Sequence, residues 1–167
     1  MKRIFSLILI FTLHLSTLST TASADERLFH IARSLNPNWV CYDARVKNGK
    51  LNMDDPVHVY WHNNSDNPGH ENELSYFQRK MAYGVKVLNR GNQEAEVRLT
   101  AYKKRNLQIC KRKGKWVALC TINGRRCILK EIYVQLKPKN PLSVVYFQLS
   151  GIAANDGSRQ AEKIYNK

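Results

Sequence analysis

The 167-residue chain is expected to fold as a mainly β domain: an antiparallel meander of about nine strands forming a barrel-like sheet or a sandwich, with one α-helix. Three observations predict it. Short runs rich in Val, Ile, Leu and aromatic residues recur along the chain, clusters of Asn, Gly, Pro and Lys separate them, and one segment alone places apolar residues at helical spacing. With 43% hydrophobic and 24% charged residues the composition excludes collagen-like, coiled-coil and disordered classes, and the length leaves room for one modest domain.

The first element is a targeting signal. Lys2 and Arg3 precede an apolar run over 4–13, and Ala22-Ser23-Ala24 offers the small residues a signal peptidase accepts, so residues 1–24 read as a signal peptide cleaved after Ala24. The run is far shorter than the roughly 20 residues a membrane-spanning helix needs. Residues 25–167 then form the single β domain, exported to the periplasm or secreted. Strands are expected at 28–33, 39–44, 57–62, 85–89, 97–102, 107–111, 116–122, 125–136 and 142–151. Asn36-Pro37-Asn38, Asn48-Gly49, Arg90-Gly91-Asn92, Lys113-Gly114, Asn123-Gly124 and the stretch from Pro138 to Pro141 supply the turns between them. The helix is expected over 72–83, with Leu74, Phe77 and Met81 as its apolar stripe and Gly84 ending it. In the last two strands Ile128, Ile132, Val134 and Leu136 should share one face, as should Val145, Phe147 and Leu149.

Asn123-Gly124 between two apolar runs is a two-residue hairpin signal of type I′. Its register sets Ile122 opposite Arg125, Thr121 opposite Arg126 and Cys120 opposite Cys127. Opposed Cα atoms in an antiparallel pair lie within disulfide range. An even cysteine count in an exported chain therefore predicts Cys120–Cys127 and, by remainder, Cys41–Cys110.

Without residues 1–24 the chain keeps 25 basic and 13 acidic residues, a net charge of +12. Such a balance favours an anionic glycan, lipid or an envelope protein as partner, while export argues against nucleic acid. The candidate anion contacts form two basic rims: Lys103, Lys104 and Arg105 with Arg125 and Arg126 at one end, and Arg112, Lys113 and Lys115 at the other, where Trp116 could stack.

The block Arg33-Ser34-Leu35-Asn36-Pro37-Asn38-Trp39-Val40-Cys41-Tyr42 is followed in order by Val59-Tyr60-Trp61, Leu74-Ser75 with Gln78-Arg79, Ala82-Tyr83-Gly84, Ile122-Asn123-Gly124, Ile132-Tyr133-Val134 and Tyr146-Phe147-Gln148-Leu149-Ser150-Gly151. Together these resemble a family of short exported bacterial proteins, common in Bacteroidetes, grouped as domain of unknown function 4833. The resemblance implies an envelope or secreted location and brings no activity. Arg33, Asn36, Asn38, Tyr60, Trp61 and Tyr83 are the candidate structural or pocket residues, the asparagines as turn formers and Arg33 as a partner for Glu162 or Asp156.

No metal or cofactor is expected. His58 and His62 fall on one face of a strand about 13 Å apart, too far to share an ion unaided. No G-x-S-x-G elbow occurs, and the carboxylates form no recognisable pair, so the expectation leans away from an enzyme. The leading expectation is a binding module for an anionic or amphipathic envelope molecule. The others are a protein that docks on an envelope partner and a glycan or peptide hydrolase.

Overall fold

The computed structural model describes residues 26–166; the expected leader and its cleavage site lie outside them. The elements are β1 (Glu26–Arg33), β2 (Asn36–Ala44), β3 (Val46–Lys47), β4 (Lys50–Leu51), β5 (Val57–His62), β6 (Glu71–Glu73), a short helix α1 (Tyr76–Gln78) running on into a π-helical turn (Arg79–Tyr83), β7 (Val85–Gly91), β8 (Glu94–Leu99), β9 (Leu107–Arg112), β10 (Lys115–Ile122), β11 (Arg125–Lys137), β12 (Asn140–Ala153) and β13 (Arg159–Tyr165). Nine strands in the order β6-β5-β2-β1-β11-β10-β9-β8-β7 make a curled sheet, a half-barrel. The first and last strands of that order, β6 and β7, are joined by the helical segment.

The long strand β11 is the hinge of this architecture. Its first residues pair antiparallel with β10, from Arg125 to Ile128, while Glu131 to Val134 pair parallel with β1. β12 follows β11 from Cys127 to Lys137 and carries β13 on its far side. The change of partner from β10 to β1 coincides with a register shift between Leu129 and Glu131, which makes Lys130 the extra residue of a bulge.

The bulge also reverses the alternation of side chains. Cys127 and Leu129 face the main core before it, and Ile132, Val134 and Leu136 after it. Ile128 is therefore not on the face expected from simple alternation; it packs with Cys110, Val117 and Leu119 on the opposite side. A second shift, between Tyr146 and Val144 on β12, has the same effect, so that Val144 rather than Val145 joins Phe147 against the core. The core fills the concave side, from Phe29 and Tyr42, whose rings stack at 4.4 Å, through Ile109, Ala118 and Ile122 to Leu149.

The helix is shorter than expected. Residues 71–73 go to an edge strand on β5, Leu74 buries itself, and the helix starts only at Ser75. There Ser75 and Gln78 form a reciprocal capping box. The expected apolar stripe does not exist, since Phe77 and Met81 are 73% and 72% exposed. Strand β8 begins at Glu94, three residues ahead of expectation, and β3, β4, β6 and β13 were not anticipated.

The Asn123-Gly124 turn has positive φ at both residues and sets Cys120 opposite Cys127, as the turn chemistry requires. Neither expected cross-link is formed: all four cysteines are free and buried. The Cys127 thiol donates to the Arg125 carbonyl at 3.4 Å, while Cys41 on β2 and Cys110 on β9 stand in separate surroundings. Burial pushes the Cys41 and Cys120 thiols up to about 11. As neutral thiols they are poor nucleophiles in the folded protein.

Candidate functional site

Arg33 ends β1 on the face that carries Ile31, and so projects a guanidinium at the margin of the core. It lies over two rings, 5.1 Å from the centroid of Trp61 on β5 and 5.6 Å from that of Tyr83 at the end of the π-helical turn. The two rings meet edge to face at 5.4 Å. The capping box that starts the helix also serves this cluster: the Gln78 side-chain oxygen accepts from the Ser75 amide at 2.9 Å and from the Trp61 indole at 3.3 Å. Below it, the buried Tyr42 hydroxyl donates to the Tyr83 carbonyl at 2.9 Å. Three of the sequence-level candidates, far apart in the chain, thus meet at one place.

Charge pairing divides the arginines. Arg27, Arg45, Arg79, Arg105 and Arg125 each reach a carboxylate. Arg33 has none among the described residues, and its Nε is buried without a hydrogen-bond partner. Burial raises the Tyr83 hydroxyl above its ordinary pKa, against the pull of the Arg33 charge and of a hydrogen bond from the Arg33 side chain. A guanidinium held over aromatic faces, with its Nε unspent, is chemically suited to receive an anion.

The expected pairing of Arg33 with Glu162 or Asp156 is overturned, because other arginines hold those acids. Arg105 grips Glu162 through two nitrogens, at 2.5 and 2.9 Å, while Glu162 also accepts from the Asn123 amide at 2.6 Å. Arg125 reaches Asp156 at 2.5 Å. Asn36 and Asn38 do turn work: Asn36 Oδ1 accepts from the Asn38 amide, and Asn38 Oδ1 from the Asn64 amide, fixing the loop after β5.

The basic rims divide by the same test. Arg105 and Arg125 are paired and Arg126 donates to Gln108, whereas Lys103, Lys104, Arg112, Lys113 and Lys115 are exposed. Trp116 is 3% exposed, with Lys111 Nζ 5.8 Å above its ring, so its faces lie inside the fold. The carboxylates predict an acid limb of stability. The Ser158 amide and hydroxyl, with Arg125, hold Asp156 down at about 2, and Arg105 lowers Glu162. Groups depressed in the folded state stabilise it above their ordinary pKa and lose that effect as pH falls through the folded value. Thermal midpoints should therefore hold down to the ordinary carboxylate range, then decline toward pH 2, with a shallower decline in Arg105→Gln; an unchanged slope in that variant would refute the assignment.

Sequence reasoning missed a second polar cluster on the opposite face of β2. Asp43, 6% exposed, binds Arg27 Nε at 2.5 Å and accepts from the Tyr60 hydroxyl at 2.8 Å, and Arg27 Nη2 donates back to that hydroxyl at 2.7 Å. Burial and Asp43 together raise the Tyr60 hydroxyl well above its ordinary value, so it stays a neutral hydrogen-bonding bridge. The signal was an acid inside the otherwise apolar run 39–44. His58 leans on Glu73 at 3.0 Å and His62 stacks on Trp39, so the two strand histidines turn to different partners.

The geometry defines a mainly β chain whose half-barrel carries a cation in an aromatic setting, without a carboxylate partner among the described residues. The model of a family described as domain of unknown function (DUF4833) matches residues 29–163. The chain belongs to that family. No curated protein and no solved structure matches it.

Proposed function

We propose that the chain is an exported, non-catalytic binding module for an anionic or amphipathic envelope molecule, with Arg33 as the anion contact. The observation that carries this reading is the Arg33 guanidinium, set between Trp61 and Tyr83 with no carboxylate partner among the described residues. A charge half-removed from water without a carboxylate counter-charge costs folding free energy, and an anionic ligand would offset that cost. A second reading, docking on an envelope protein, is favoured by Tyr76, Phe77 and Met81, which stand 68%, 73% and 72% exposed on one helical segment.

The test is mass spectrometry on the chain purified from its native host, under native conditions and again denatured without reductant. The native species should carry extra mass that denaturation releases and that Arg33→Met loses. Because Arg33 has no carboxylate partner to abandon among the described residues, Arg33→Met should leave the thermal midpoint of the ligand-free protein unchanged or raised. A bare wild-type chain, or ligand retained by Arg33→Met, would overturn the reading. The denatured mass also reports whether the leader is removed after Ala24.

A further inference from the structure

We infer that the outer face of β7, β8 and β9 carries a second binding site, a groove for saccharide, independent of Arg33. The groove encloses about 330 Å³ and is lined by Asn89, Glu94, Glu96, Asn106, Gln108 and Arg126. Sheet register builds its floor. Asn89 on β7 stands opposite Glu96 on β8, and Glu96 opposite Gln108 on β9, so one cross-strand row supplies an amide, a carboxylate and an amide.

These side chains orient one another. The Gln108 amide donates to Glu94 and accepts from Arg126, and Asn106 Nδ2 donates to Glu96 Oε1 at 2.8 Å. Glu94 and Glu96 each use one carboxylate oxygen in these contacts and keep the other, and Arg126 spends one nitrogen on Gln108. Unspent acceptors and donors therefore alternate along a polar groove. A sugar edge presents the same alternation, because every hydroxyl both donates and accepts.

Other ligand classes fit less well. A hard divalent cation needs oxygen donors alone and would meet the Arg126 charge. A phosphate would meet Glu94 and Glu96. An apolar ligand would strip water from six polar side chains without replacing their hydrogen bonds. The volume sits at the lower end for small-molecule sites, which suits one or two sugar rings.

Gly91 provides a clean obstruction. It lines the groove, and a Cβ built there meets nothing within 4 Å, so a larger side chain can enter without disturbing the fold. The experiment is amide NMR on the purified chain, titrated separately with cellotriose, mannotriose and triacetylchitotriose to millimolar concentration. At least one should shift the resonances of Asn89, Glu96 and Gln108. Gly91→Leu and Glu96→Ala should each weaken that probe at least about tenfold, a loss of about 1.4 kcal/mol. Arg33→Met should bind it unchanged, which separates this site from the anion site. The proposal fails if no probe shifts those residues, or if shifts persist undiminished in both groove variants.

Discussion

Asp43→Ala is expected to destabilise the protein by about 3 kcal/mol, because it removes one partner of a buried ion pair and strands the other. Asp43 is the buried charge of β2, and its two oxygens satisfy Arg27 and the Tyr60 hydroxyl separately. Alanine would leave the Arg27 guanidinium without its counter-charge and the Tyr60 hydroxyl without its acceptor. Arg27 is 38% exposed and can recover some hydration, which sets the loss at the low end of values for fully buried pairs. Tyr60→Phe removes only the bridge and should cost about 1–2 kcal/mol. Chemical denaturation of the two variants, with Arg27→Met/Asp43→Leu as the third, decides the matter. The double variant should recover most of the loss, since an apolar pair of similar volume leaves no stranded charge. If Asp43→Ala proves no worse than Tyr60→Phe, the cluster is not acting as a charge network.

How much of this could be read beforehand follows from what each feature depends on. The Asn123-Gly124 hairpin and the opposition of Cys120 to Cys127 rest on turn chemistry within eight residues, and the structure has both. Strand 57–62 has the expected bounds because its apolar run and its flanks agree. The faces of β11 and β12 were misread where bulges intervene, and the bulge at Lys130 exists because β11 changes neighbour there, which no local pattern records. β13 escaped notice because its inward-leaning residues include Gln160 and Glu162, so it has no apolar alternation. At the candidate site, Arg33, Trp61 and Tyr83 were singled out, but their meeting is a tertiary fact. It needs β1 beside β2, β2 beside β5, and the helical segment crossing from β6 to β7. The cysteines mark the limit of composition: it supplies an even count, while the surroundings decide whether thiols react.

That crossing segment is also where a single methyl group should do most damage. Gly84→Ala is expected to lower stability by about 3 kcal/mol or more, and the thermal midpoint by roughly 6–12 °C. The cause is steric and not conformational, since Gly84 has an ordinary extended backbone with φ −62° and ψ 163°. A Cβ there would lie 2.0 Å from the Arg79 carbonyl oxygen and 2.9 Å from its carbon, and these are backbone atoms that no rotamer change can move aside. Relief requires unwinding the π-helical turn. Its end is held from two sides, by Thr100, whose amide and hydroxyl both donate to the Gly84 carbonyl, and by the Tyr42 hydroxyl on the Tyr83 carbonyl. Unwinding would therefore displace Tyr83 from Arg33 and draw Gln78 away from Trp61. The variant should lose stability and anion binding together, whereas Arg33→Met should lose binding alone. Thermal unfolding of both variants beside native mass measurement separates the cases, and a Gly84→Ala protein with wild-type stability would show that the turn can open at no cost.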